Sequence, residues 1–183
     1  SVVVGTLAAL ALVRFSPRGA DRLLALLAAP MMMPALIIGI ALLVFFKRLL
    51  DIPLGLPTVI LGHLVIVQPF VIAIIHARLA AFDWSLVESA RDLGASPLKA
   101  FATITLPIIR PTIVGAALVA MALSIDDFVL TFFTIGGGST LPIYMMGLMR
   151  RGVNPQINVA SLVLIAMTIG ASLIALRATR YRG

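Results

Sequence analysis

The sequence predicts an all-α fold, a polytopic bundle of membrane-spanning helices in a single domain, and two observations predict it. Hydrophobic residues make up 61% of the 183 positions and charged residues only 11%, against about half and about a quarter in an ordinary soluble domain. The apolar residues also form long uncharged blocks: Leu23 to Phe46, Ile52 to Ile75, Pro111 to Ile125 and Gly152 to Leu176. A helix of roughly 20 such residues crosses a bilayer.

The opening, SVVVGTLAALALV, has 13 uncharged residues before Arg14. That is too few to span, and the basic start of a signal peptide is missing. It reads as the inner end of a partial span over 1–13 in an N-terminally truncated chain. The first complete span is expected over 23–46, kinked at Pro30 and Pro34, where neighbouring helices must satisfy the freed carbonyls. Met31, Met32 and Met33 are expected to pack against those neighbours. The next span covers 58–75, with Pro57 as its opening residue. His63 and Gln68 within it suit hydrogen bonds between helices, and Gln68-Pro69 marks a kink. A third span runs over 111–133, from Pro111 through Asp126 and Asp127. The last covers 155–176, with Asn154 as N-cap and Pro155 opening the helix.

The formal charge is +7, but the basic residues sit in short clusters between apolar blocks, which points to a lipid bilayer and not to nucleic acid. Arg14, Arg18, Arg22, Arg78, Arg91, Lys99, Arg110, Arg177, Arg180 and Arg182 fall on one side of the alternating loops. Only Lys47, Arg48, Arg150 and Arg151 fall on the other. The positive-inside bias therefore puts segment 77–110 and the C-terminus in the cytoplasm. Cysteine is absent, which excludes disulfides and thiolate metal sites.

Segment 77–110 is too long for a simple connection. Ser85 and Glu88 read as a capping box. Leu86, Ala90 and Leu93 then share a helical face, while Arg91 and Asp92 point elsewhere, to solvent or to an ion-pairing partner. Gly94 suits a left-handed C-terminal cap, and Ser96 and Pro97 open a second short helix carrying Leu98 and Phe101. Such a helix–turn–helix lies against lipid or docks into a groove on a cytoplasmic partner. No phosphate loop is visible, since neither Lys47 nor Lys99 follows a glycine. Gly136 to Gly138 read as a turn, and Tyr144, Met145, Met146 and Met149 as a short interfacial or gate helix.

The stretch ESARDLGASPLKAFATITLP, Glu88 to Pro107, resembles the EAA loop of the membrane subunits of ATP-binding-cassette (ABC) importers. Glu88, Ala90, Gly94, Ile104, Leu106 and Pro107 match in register, and Ser89 replaces the middle alanine. The resemblance implies a type I importer permease fold in the bacterial cytoplasmic (inner) membrane, with the loop as ATPase-coupling element. Glu88, Ser89, Ala90, Asp92, Gly94, Ala95, Ile104, Leu106 and Pro107 would carry that contact, with Glu88 as helix cap, partner contact or both. It implies no cofactor and no enzymatic activity in this chain, with ATP and Mg on two partner ATPase subunits. A homologous second permease subunit and an external solute-binding protein complete the set of partners.

Downstream, LSIDDFVLTFFTIGGGSTLPIYMMGLMRRGVNPQIN is similar to spermidine/putrescine-type permeases. Ser124, Asp126, Asp127, Thr140, Leu141, Pro142, Gly152, Val153, Pro155, Ile157 and Asn158 match, while Gly-Gly-Gly departs from the commoner Gly-Pro-Gly turn. Relatives of this subfamily carry other solutes, ferric iron and phosphonates among them. In a rival class, a transporter driven by an ion gradient, the carboxylates would be cation sites. Counted from Pro111, Asp126 lies about 22 Å along the helix, in the outer third of a core of about 30 Å. Intramembrane carboxylates mark a polar pathway or are paired within the bundle. Ser124, Asp126 and Asp127 are therefore candidates to line a substrate pathway, or to cap or to pair with Arg150 or Arg151.

Overall fold

A computed structural model describes residues 1–15, 19–150, 152 and 155–180, and every regular element among them is helical. Arg18, Arg151, Val153, Asn154 and Arg182, and with them the Asn154 cap, lie outside the described residues. Helix α1 covers Val2–Phe15 and α2 covers Ala20–Ala28. A 3₁₀ turn, Ala29–Met32, and α3, Ala35–Val44, follow, with a π turn over Phe45–Leu49.

The stretch expected as one kinked span is a pair of helices meeting at 94°. A residue before proline is pushed out of helical geometry, and Met33 is extended ahead of Pro34, at φ −90° and ψ 141°. The bend turns Met31, Met32 and Met33 outward, at 43%, 87% and 48% exposure. Met32 is the most open of the three, while Met31 and Met33 stay about half covered.

Helix α4, Leu56–Ala80, is about 37 Å long and forms the axis of the bundle. It continues through Pro69, and beyond the expected 75. Its C-terminal half buries Val71, Ile72, Ile75 and Leu79 against Ala9 and Leu12 of α1. With no membrane-phase hydrophobic drive between helices, close packing at small residues holds such bundles. Gly62 illustrates it: a Cβ there would lie 2.6 Å from Leu130 Cδ2.

Another difference concerns the span expected from Pro111. The helix begins at Pro97: α6, Pro97–Ala100, passes through a π turn, Phe101–Thr105, into α7, Leu106–Asp126. These 30 residues make about 45 Å of nearly continuous helix. Pro107 and Pro111 are interior. Neither has an N–H to donate, and the π turn just ahead of Pro107 is the kind of local adjustment that accommodates such a loss. Thr103 adds a hydroxyl bond to the Lys99 carbonyl, 2.8 Å away.

The helix also stops short of Phe133. Asp127 is extended, at φ −69° and ψ 117°, and a new helix, α8, covers Val129–Thr134. The Thr58 hydroxyl at the start of α4 donates to the Thr134 carbonyl at the end of α8, 2.7 Å away. Gly136 to Gly138 form the expected turn, with Gly136 at φ +67°. Helices α9, Leu141–Arg150, and α10, Pro155–Arg180, complete the chain. Among the described residues three helices are long and apolar enough to cross a membrane, four if the bent pair counts as one span.

Candidate functional site

Two breaks in the helical run hold the candidate residues. The first is the corner between α4 and α6, built around α5, Ser85–Asp92. Here Asp83, not the expected Ser85–Glu88 box, caps the helix: its Oδ1 accepts from the Ser85 N–H at 3.0 Å. Bonds from the Ser85 side chain and then its backbone hold the Asp83 carboxyl below its ordinary value of 3.8. Ser85 is already within the first turn, so its hydroxyl is not at the cap position, and the Glu88 N–H bonds to the Trp84 carbonyl at 3.1 Å. Glu88, Ser89 and Asp92 are exposed.

Gly94 ends α5 at φ +85°. The Gly94 N–H reaches the Arg91 carbonyl at 2.9 Å and the Ala95 N–H reaches Ala90 at 3.0 Å, the two bonds of a Schellman cap. A left-handed residue is needed there, which glycine supplies without strain. Ser96 then caps α6 through the Lys99 N–H, at 3.3 Å. The expected apolar stripe is split: Ala90 and Ala95 pack against the core, while Leu86, Leu93 and Leu98 point out at 45%, 90% and 77% exposure. Ile104, Leu106 and Pro107 lie further on, in the π turn and the first turn of α7.

The second place is the break between α7 and α8. Asp127 Oδ2 accepts from the Thr131 N–H at 2.8 Å and from the Thr131 hydroxyl at 2.9 Å, and Oδ1 accepts from the Leu130 N–H at 3.4 Å. The Asp127 side chain, one residue before the N-cap Phe128, thus caps the start of α8. His63 of α4 joins all three helices, with Nδ1 2.7 Å from Ser124 Oγ and Nε2 2.8 Å from Thr131 Oγ1. One proton arrangement satisfies every group: Ser124 O–H to Nδ1, Nε2–H to Thr131, and the Thr131 O–H to Asp127.

The structure therefore brings Ser124 and Asp127 together and leaves Asp126 outside the network, exposed. Asp126 lines a cavity of about 860 Å³ with Phe70, Phe128, Met145 and Ser161. Among the described residues neither aspartate pairs with Arg150; the one close ionisable contact is His63 to Asp127, at 3.4 Å. A second cavity, of about 560 Å³, is lined by His63, Ser124, Asp127, Thr131 and Thr140. The Thr140 hydroxyl there is buried without a partner among the described residues. Sequence reasoning gave His63 only a generic bond between helices. A lone imidazole in the uncharged block of α4, facing Ser124 some 61 residues away, was the available signal.

Comparison with known proteins agrees with this architecture. The putrescine transport system permease protein PotI of Escherichia coli (strain K12) is 41% identical over 92% of this chain. The spermidine/putrescine transport system permease protein PotC of Shigella flexneri is 33% identical over 100% of it. The chain spans 63% of the length of PotI and 71% of that PotC. A solved chain of the MetNI methionine ABC transporter, in an inward-facing conformation, superposes with a TM-score of 0.76 at 17% identity. That match covers 100% of this chain and 86% of the other, and establishes a shared fold. The description "Binding-protein-dependent transport system inner membrane component" matches residues 1–181, and the chain belongs to that family of multi-pass membrane permeases.

Proposed function

We propose that this chain is the transmembrane subunit of an ATP-driven importer that moves putrescine or spermidine into the cytoplasm by alternating access. The observation that carries the solute is the 41% identity to a putrescine permease across 92% of the chain. The α5 corner supports the coupling role: Leu86, Leu93 and Leu98 stand out, exposed, from a capped turn. In this reading two ATPase subunits, which bind ATP and Mg, dock on Glu88, Ser89, Asp92 and the Gly94 turn. A homologous permease and an external solute-binding protein complete the complex. Segment 77–110 and the C-terminus face the cytoplasm, following the basic residues.

At the other end Asp126 is the pathway carboxylate, with Ser124 and Asp127 beside it as the rigid wall. A diammonium or polyammonium solute suits an exposed carboxylate next to Phe70 and Phe128, which supply charge and aromatic faces together. The test is uptake of labelled putrescine and spermidine by proteoliposomes holding the full-length subunits. Uptake that requires ATP and the binding protein supports the proposal. Uptake that follows a proton gradient without ATP overturns it, and uptake of iron or phosphonate alone overturns the solute.

A further inference from the structure

A groove of about 340 Å³ lies between α1 and the α5–α6 corner, on the side of that corner that faces α1. Its wall is hydrocarbon, from Leu7, Leu10 and Phe101, and Phe15 continues that wall outward at 85% exposure. At its mouth stand Arg14, Trp84 and Arg91. The Arg14 guanidinium sits 5.3 Å from the Trp84 ring centroid. Trp84 is in turn held edge-on by Phe82, at 4.9 Å, and Phe82 is buried. This stacking fixes the cation while leaving its N–H rim free to donate. Among the described residues no carboxylate lines the groove and neither guanidinium is ion-paired, while Arg91 also borders a neighbouring hollow with Glu88 and Asp92.

Two cations above a hydrocarbon wall match a molecule with a phosphate headgroup and an acyl tail. A free phosphate or a nucleotide would leave the wall uncovered. Tryptophan and arginine are also the residues that anchor at a membrane interface, and basic pockets between helices on the cytoplasmic side bind anionic headgroups. We propose that the groove bounded by α1, α5 and α6 binds an anionic phospholipid of the inner leaflet, with the phosphate between Arg14 and Arg91. Because α5 forms one wall, the bound lipid tethers that corner to the bilayer. The assignment of leaflet rests on the topology proposed above, while the lipid itself is read out independently of any transported solute.

The test uses the full-length subunit in its complete complex, in mild detergent. Native mass spectrometry would compare retention of phosphatidylglycerol with that of phosphatidylcholine of the same acyl chains. The expected result is preferential retention of phosphatidylglycerol, reduced about fivefold by Arg14→Gln and partly kept by Arg14→Lys. Arg14 is exposed, and thermal unfolding of both variants alongside the parent checks that the fold is kept. Equal retention of both lipids, or no effect of Arg14→Gln, overturns the proposal. So does competition by inorganic phosphate at lipid concentrations. Cross-linking of a Phe15→Cys variant to an ATPase subunit, or to another segment of the same chain, would assign the groove to a protein occupant instead.

Discussion

The imidazole Nε2 of His63 lies 3.4 Å from Asp127 Oδ2, across the junction of three helices, and Thr131 shares both partners. His63 is therefore a brace for the break, and its removal should loosen α4 from α7 and α8 together. Interhelical hydrogen bonds in membranes contribute about 0.6 kcal/mol on average and up to about 1.7. His63→Ala should cost about 1–2 kcal/mol on that scale, with His63→Gln recovering part. A double-mutant cycle with Thr131→Val, read by thermal unfolding of the purified subunit, should give a coupling of similar size. Additive losses would mean that the two side chains do not act as a unit.

The two adjacent aspartates should separate by what their loss damages. Asp127→Ala removes the cap of α8 and should cost about 1 kcal/mol of stability. Asp126→Ala touches no bond in the network and should stay within about 0.5 kcal/mol, yet reduce uptake. Thermal stability measured beside uptake for the same two variants decides it, and identical profiles would refute the division of roles.

Gly94 offers a clean backbone test, because a Cβ there meets nothing within 4 Å. Its φ of +85° alone makes Gly94→Ala cost about 1–2 kcal/mol, locally, in the α5 corner. Gly94→Asn should be milder, since Asn tolerates left-handed geometry. Loss of ATPase co-purification in Gly94→Val, with the subunit still folded, would point to the corner as the docking element. Unchanged co-purification would count against it.

Close packing at Gly62 predicts a compensating pair. Its Cβ would stand 2.6 Å from Leu130 Cδ2, and Leu130 is fully buried. Gly62→Ala should therefore cost about 1–3 kcal/mol by overpacking. Adding Leu130→Val should return part of it. A double variant no better than Gly62→Ala would show that the backbone of α8, and not the leucine tip, sets the spacing.

Asp83 supplies a pH prediction. Its carboxyl is held below the ordinary 3.8 by bonds it makes only when folded. That stabilisation is complete above 3.8 and is lost as the pH falls through the lowered value. Binding of the ATPase should thus be insensitive to Asp83 between about pH 5 and 8. Asp83→Asn, or acidification below the usual carboxylate range, should speed amide exchange of Ser85. Exchange that changes near neutral pH would assign the dependence to another group.

Most of the helical layout was readable from charge-free blocks, since span length is set by the bilayer. The starts and stops were less so. Pro111 looked like an opening residue, because helix interiors in water exclude proline. Within a bundle, the π turn at Phe101–Thr105 and neighbouring helices absorb the missing donors. The stop at Asp126 carried no glycine or proline to announce it. Its signal was Asp127 itself, whose carboxylate outcompetes the helix for the N–H groups of Leu130 and Thr131. At the corner the Gly94 cap was legible from one residue type. Asp83 was missed because Ser85 and Glu88 offered a better-known pattern two residues later.

The run from Pro97 to Asp126 has a mechanical consequence. An α-helix hardly stretches along its axis, so this element behaves as a push rod about 45 Å long with a joint at each end. The Gly94 corner is one joint and the Asp127 break is the other. A displacement of one along the axis must reappear at the other, less whatever the π turn at Phe101–Thr105 absorbs. Compliance in the rod is thus concentrated in five residues, beside the corner where force would enter.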